Sequence, residues 1–160
     1  MAKIFGLLVG LAYAGAAAAK TTSHFHEKGT DAVLRRDRVE LTGAAGNGAV
    51  GDTISLGVFG SNAYIDPLAA VCHFDDLGTG ITVDVGYSGD TDALVANQDV
   101  AAAAGNFSLF KGVDIANWFK PLWQVLGLAA DPGGKIELLM TIKGAAATGT
   151  VVWSIKGQDR

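Results

Sequence analysis

Apolar and polar residues change places at every second position through much of the chain after Gly51. Ile54, Leu56 and Val58 alternate with Thr53, Ser55 and Gly57, and Ile81, Val83 and Val85 alternate with Thr82, Asp84 and Gly86. Ile136, Leu138, Met140 and Ile142 alternate with Lys135, Glu137 and Thr141, with Leu139 out of step. Val151, Trp153 and Ile155 alternate with Thr150, Val152 and Ser154. A period of two sends one set of side chains to a core and the other outward, so each run is expected to form a half-buried strand. Residues 39–41, 69–74, 107–110 and 123–128 are further strand candidates. Turn signals separate the runs, among them Asn47-Gly48, Asp66-Pro67, Gly78-Thr79-Gly80 and Asp131-Pro132-Gly133-Gly134. Two stretches read as helical: the Ala-rich residues 92–103, and a short turn at 115–119 that Asp114 would cap and Pro121 would limit. The expected fold is all-β, an antiparallel jelly-roll-like sandwich of about eight strands. Residues 38–160 would form the sandwich, and residues 1–37 an apolar N-terminal arm with a polar extension.

The first residues follow a different rule. Lys3 precedes an uncharged, Ala-rich run over 4–19, which ends at Lys20. One cation, an apolar stretch and Ala17-x-Ala19 have the layout of a secretory signal peptide, with cleavage leaving a secreted or periplasmic chain. The run is short for a membrane span, which needs about 20 apolar residues. The other reading is a retained arm that docks on a neighbouring subunit.

Composition narrows the function classes. The 160 residues suit one domain. With 49% hydrophobic and 18% charged residues the chain is not of the disordered class, and a net charge of −4 argues against nucleic-acid binding. The single cysteine, Cys72, cannot form an intrachain disulfide and is expected to be a buried apolar residue.

The motifs that could carry chemistry each have a plainer explanation. Gly46-Asn47-Gly48-Ala49-Val50-Gly51 matches G-x-G-x-x-G, but a strand rather than a helix follows, so no helix N-terminus is there to hold a pyrophosphate. Residues 144–150 have P-loop spacing without its lysine. Asp84, Asp90 and Asp92 could gather around Ca²⁺, but no loop spacing supports it, and an outward Asp84 with a turn capped by Asp90 and Asp92 accounts for them. His24 and His26 with a distant His73 fall short of a zinc set. Cys72 and His73 are neighbours in a strand candidate and would point to opposite faces, which removes a thiol–imidazole pair. No G-x-S-x-G, H-E-x-x-H or C-x-x-C occurs. The expectation is a non-enzymatic protein with no cofactor and no metal.

Two groups fit contact with a partner. Arg35, Arg36 and Arg38 flank Asp37 and could clamp carboxylates, since guanidinium groups bond them bidentately. Trp118, Phe119 and Trp123, with Pro121 and Leu122, form the densest aromatic cluster, which suits either core packing or an intersubunit anchor.

The stretch Gly51-Asp52-Thr53-Ile54-Ser55-Leu56, then Gly78-Thr79-Gly80-Ile81-Thr82-Val83-Asp84-Val85-Gly86 and Ser88-Gly89-Asp90-Thr91-Asp92, resembles small structural proteins of tailed-bacteriophage head gene clusters. Ala145-Ala146-Ala147-Thr148-Gly149-Thr150-Val151 continues the likeness, which spans residues 38–156 and leaves the apolar N-terminus outside. The resemblance implies a virion component on the capsid surface, a decoration or cement protein. Its partners would be the major capsid protein and copies of itself, a trimer being one arrangement. It supplies no active-site residue. A tail or neck component, and an exported carbohydrate-binding sandwich, are the alternatives.

Overall fold

The computed structural model describes residues 3–5, 32–101 and 103–158. Ten strands account for most of them: β1 (Lys3–Phe5), β2 (Ala32–Thr42), β3 (Thr53–Gly60), β4 (Tyr64–Ile65), β5 (Val71–Phe74), β6 (Thr82–Tyr87), β7 (Asp90–Asp99), β8 (Gly105–Ser108), β9 (Lys135–Lys143) and β10 (Thr148–Gln158). One sheet has the order β1-β3-β9-β6-β7. The second has the order β2-β10-β5-β8, with β4 alongside the end of β10. Apart from the β1–β3 pair, every ladder between these strands is antiparallel. The expected all-β antiparallel sandwich is the fold found. Among the eight longer strands outside β1 and β4, the chain crosses between sheets at every connection except the β6–β7 hairpin.

The period of two builds the core between the sheets. From β9 come Ile136, Leu138, Met140 and Ile142, from β6 Val83 and Val85, and from β10 Val151, Trp153 and Ile155, each buried. A bulge in β3 shifts the pattern between Ser55 and Gly57. Ile54 faces the core before it and Phe59 after it, opposite Met140 and Ile136 respectively, which an unbroken alternation would not allow. Val58, expected inward from the sequence, therefore pairs with outward Glu137 and is only half-buried.

A bulge also turns a backbone carbonyl out of its ladder, and a buried carbonyl without a partner is costly. Here the Trp153 indole N–H donates to the Leu56 carbonyl oxygen at 2.9 Å, across the space between the sheets. Gly57 (φ 143°) completes the arrangement, since a Cβ there would sit 3.1 Å from Arg35 Cδ on β2. These contacts show β2 and β10 facing β3.

Two local expectations are corrected. Residues 92–103 are not helical: Asp90–Asp99 is strand β7, paired with β6 through register shifts. Its Ala content lowers strand propensity, but burial of Leu94 and Val95 against β6 outweighs it. Residues 123–128 are not a strand: Leu122–Val125 is one helical turn with Pro121 at its N-cap, burying Leu122 and Val125. The Asp114 turn is present as a 3₁₀ segment, Ile115–Asn117, whose Ala116 N–H donates to Asp114 Oδ1 at 2.9 Å. β2 begins at Ala32, ahead of the expected boundary at 38, so Arg35 and Arg36 belong to the sandwich. The arm residues 6–19, His24 and His26 lie outside the described residues.

Candidate partner-binding surfaces

β2 is the terminal strand of its sheet, and its side chains alternate strictly. Arg36, Arg38 and Glu40 are exposed, while Asp37, Val39 and Leu41 are buried. Arg35 shares the inward parity. It is half-buried, its guanidinium lies 4.6 Å from the centre of the Phe59 ring, and its Nε is buried without a hydrogen-bond partner. Arg35 thus packs against the facing sheet, while Arg36 and Arg38 stand on the outer surface.

That outer face can be followed across the ladder. Arg38 lies opposite Val152, Val152 opposite His73, and His73 opposite Asn106. Arg36 lies opposite Ser154, which is opposite Val71, which is opposite Ser108. Arg36, Arg38, His73 and Asn106 are all exposed. The face carries Arg36 and Arg38, with Glu40 next along β2, on a chain whose net charge is −4. Such a face can steer and orient an acidic partner.

The backbone edge of β2 is less open. The Arg38 N–H donates to Oδ1 of the preceding residue, Asp37, at 2.8 Å. Arg35 and Asp37 also put charged side chains inward on an edge strand, a device that discourages a further strand from pairing there. What this side of the molecule presents outward is therefore the side chains of Arg36 and Arg38 rather than a free backbone edge.

The aromatic cluster divides in the same way. It belongs to the connection between β8 and β9, which closes the core with Leu109, Phe110, Leu122, Val125 and Leu126. Trp118 is half-buried and its indole N–H donates to the Val113 carbonyl at 3.1 Å; Trp123 is half-buried against the same core. The Leu122 and Trp123 N–H groups donate to the Ala63 and Ser61 carbonyls, which tie this turn to the β3–β4 loop. Phe119 is 72% exposed and projects from the segment. The cluster is two aromatics packed on the core and one projecting ring, and it belongs to the β8–β9 connection rather than to the arginine face.

The remaining candidates have structural partners. Asp84 is 1% exposed; Oδ1 accepts the Asn97 N–H at 2.7 Å, and Oδ2 lies 2.7 Å from Lys143 Nζ. The same contact raises the Lys143 ammonium above its ordinary value. Asp90 Oδ1 accepts the Asp92 N–H at 3.4 Å, and a side-chain hydrogen bond with Asp90 holds the Asp92 carboxyl above the usual carboxylate range. Among the described residues no three potential metal ligands converge. Cys72 is fully buried, and burial pushes its thiol up to about 12, while His73 points outward. The glycine-rich loop before β3 is a turn: Gly46, Gly48 and Gly51 all have positive φ, and a Cβ on Gly48 would collide with the Ala147 carbonyl.

The fold and these surfaces define a class, the two-sheet antiparallel sandwich with outward surfaces available for contact. Within that class, a chain of the cyanophage Pam1 capsid asymmetric unit has a similar structure, with a TM-score of 0.52 at 16% sequence identity. The similarity covers 91% of this chain and 96% of that one. No family model matches this sequence. No curated protein matches it either.

Proposed function

We propose that this chain is a structural protein of a bacteriophage virion, acting as a capsid decoration or cement protein without a chemical step. The observation that carries this reading is the near end-to-end structural likeness to a chain of the cyanophage Pam1 capsid asymmetric unit. The winding adds support. Crossing between sheets at each connection except β6–β7 is the order of a jelly roll, a fold recurrent among viral capsid domains.

In this reading the protein works by burying area across joints between coat subunits. A standard interface buries about 1,600 Å², and repetition over many sites multiplies weak contacts through effective concentration. Arg36 and Arg38 contact carboxylates of the major capsid protein, Phe119 is the projecting apolar anchor, and copies of the chain adjoin one another on the capsid surface. Trp118, Trp123 and Arg35 act indirectly by shaping the surface from below.

The test is the copy number of this chain in purified particles, measured by quantitative mass spectrometry against the major coat protein and located by electron cryomicroscopy. A fixed ratio to the coat subunit, with density over coat joints, is expected. Absence from particles overturns the virion reading. A few copies at one vertex overturn decoration and place the chain in the neck or tail.

A further inference from the structure

The outward face of β3, β9 and β6 is dry from one side to the other. Thr53, Ser55, Asp84, Leu139 and Thr141 have outward parity and all are buried, Ser55 to 0% exposure. They stand in two rows across the strands. One row is Thr53, Thr141 and Asp84, and the other is Ser55, Leu139 and Gly86.

β7 covers one end of these rows. Its Asn97 N–H donates to Asp84, and its Asp90 carbonyl passes close enough to Gly86 to collide with a Cβ there. Thr53, Ser55, Leu139 and Thr141 belong to β3 and β9, which lie on the far side of β6 from β7. The outer face of an antiparallel sheet ordinarily meets water. These four side chains are dry because more of the same chain lies over them. The face is also prepared for cover. Ser55 Oγ donates to Glu137 Oε1, and Asp84 is held by Lys143, so these polar groups are bonded where water is excluded.

We propose that this face is the seat of the apolar run 6–19 of the same chain, which is therefore kept in the mature protein and not removed as a signal peptide. β1 delivers the chain to the seat. Lys3, Ile4 and Phe5 pair in parallel with Thr53, Ile54 and Ser55, at the edge where both rows begin, and the run starts at the next residue. Its composition matches the surface below. The run carries no charge and is mostly Gly and Ala, which lets a backbone approach short Ser, Thr and Gly side chains closely, while Leu7, Leu8, Val9 and Leu11 supply apolar partners for Leu139. Its length suffices, because three strands at ~4.8 Å spacing span roughly 15 Å, and a chain of this length reaches that even at ~1.5 Å per residue. Cleavage after Ala19 would take β1 away with the run and leave both rows bare. The inference concerns the purified chain, so its failure is distinct from failure of the virion reading.

The test is thiol labelling of the full chain carrying Ser55→Cys, with Asn106→Cys on the opposite sheet as the exposed control. The native Cys72 is buried and protonated, and stays silent while the sandwich is folded. Ser55→Cys is expected to react at least about 100-fold more slowly than Asn106→Cys, because labelling must await local opening. Adding Leu8→Asp and Leu11→Asp should bring its rate up toward that of the control while Cys72 remains unlabelled. Equal rates for Ser55→Cys and Asn106→Cys in the full chain overturn the proposal, and so does protection that survives the two aspartates. Should those aspartates unfold the sandwich, Ser55→Cys is paired instead with one cysteine at a time along positions 8–16. At least one pair should close an intrachain disulfide at low protein concentration, and closure by none overturns the proposal. Mass spectrometry of the protein from its native source should find residues 6–19 attached, and a chain beginning at Lys20 overturns the proposal equally.

Discussion

The outward faces of the two sheets are made by the same alternation and end in different environments. On the β2-β10-β5-β8 sheet, Arg36, Arg38, His73 and Asn106 stand exposed. On the β3-β9-β6 part of the other sheet, the outward positions Thr53, Ser55, Asp84, Leu139 and Thr141 are all buried. Ser55 Oγ donates to Glu137 Oε1 at 2.6 Å, and Asp84 is held by Lys143 and the Asn97 N–H. A period of two assigns a side chain to a face. Whether that face meets water depends on what else folds over it, such as the β7 bulge at Asn97 (φ 49°), which carries its backbone over Asp84.

The difference can be broken most directly at Asp84. Asp84→Ala leaves the Asn97 N–H and the Lys143 ammonium without their acceptor, and a hydrogen bond to a charged group is worth about 1.5–3 kcal/mol. A loss of that order in urea denaturation is expected, toward the lower end because Lys143 is 44% exposed and can turn to water. Stability unchanged by the substitution would mean that the buried face is not held by its polar contacts.

A smaller effect sharpens the contrast through pH. The Lys143 ammonium titrates above its ordinary value because of Asp84. Its contribution is therefore complete below the ordinary lysine value of 10.5 and is lost as pH rises through the higher folded value. The urea midpoint of the wild type should fall relative to Lys143→Met as pH passes above that range, and the gap between the two should be flat from pH 6 to about 9. A gap that widens in acid instead would assign the dependence to other groups.

The smallest expected effect is on the wet face. Arg36→Ala with Arg38→Ala should change stability by no more than about 0.5 kcal/mol, as is usual for surface positions. In co-sedimentation with particles the same pair should weaken binding and flatten its salt dependence. A large loss of stability would show that these side chains belong to the fold.

The strands were legible where alternation was unbroken, as in β6, β9 and β10. Reading failed where a run was short or a bulge intervened. Residues 123–128 form a short apolar run, which periodicity alone cannot assign to strand or helix. Residues 92–103 hide their strand behind alanines and the register shifts of β7. Arg35 adjoins Arg36 in the sequence, yet it shares parity with Val39 and Leu41. The apolar alternation is plain only from Val39 onward, and the charged residues before it hide the register in which Arg35 and Asp37 are inward. The Trp153–Leu56 bond and the dry face over Ser55 join residues distant in the chain, and no local pattern announces them.

The inward charges on β2 have a consequence for how the protein exists before it meets any partner. An eleven-residue terminal strand is a template on which like strands could stack without limit. Seating a second backbone against β2 would have to displace the Asp37 carboxylate from the Arg38 amide and disturb the guanidinium lodged on Phe59. Fibre growth from that rim is therefore suppressed, and association is left to the other faces of the folded chain.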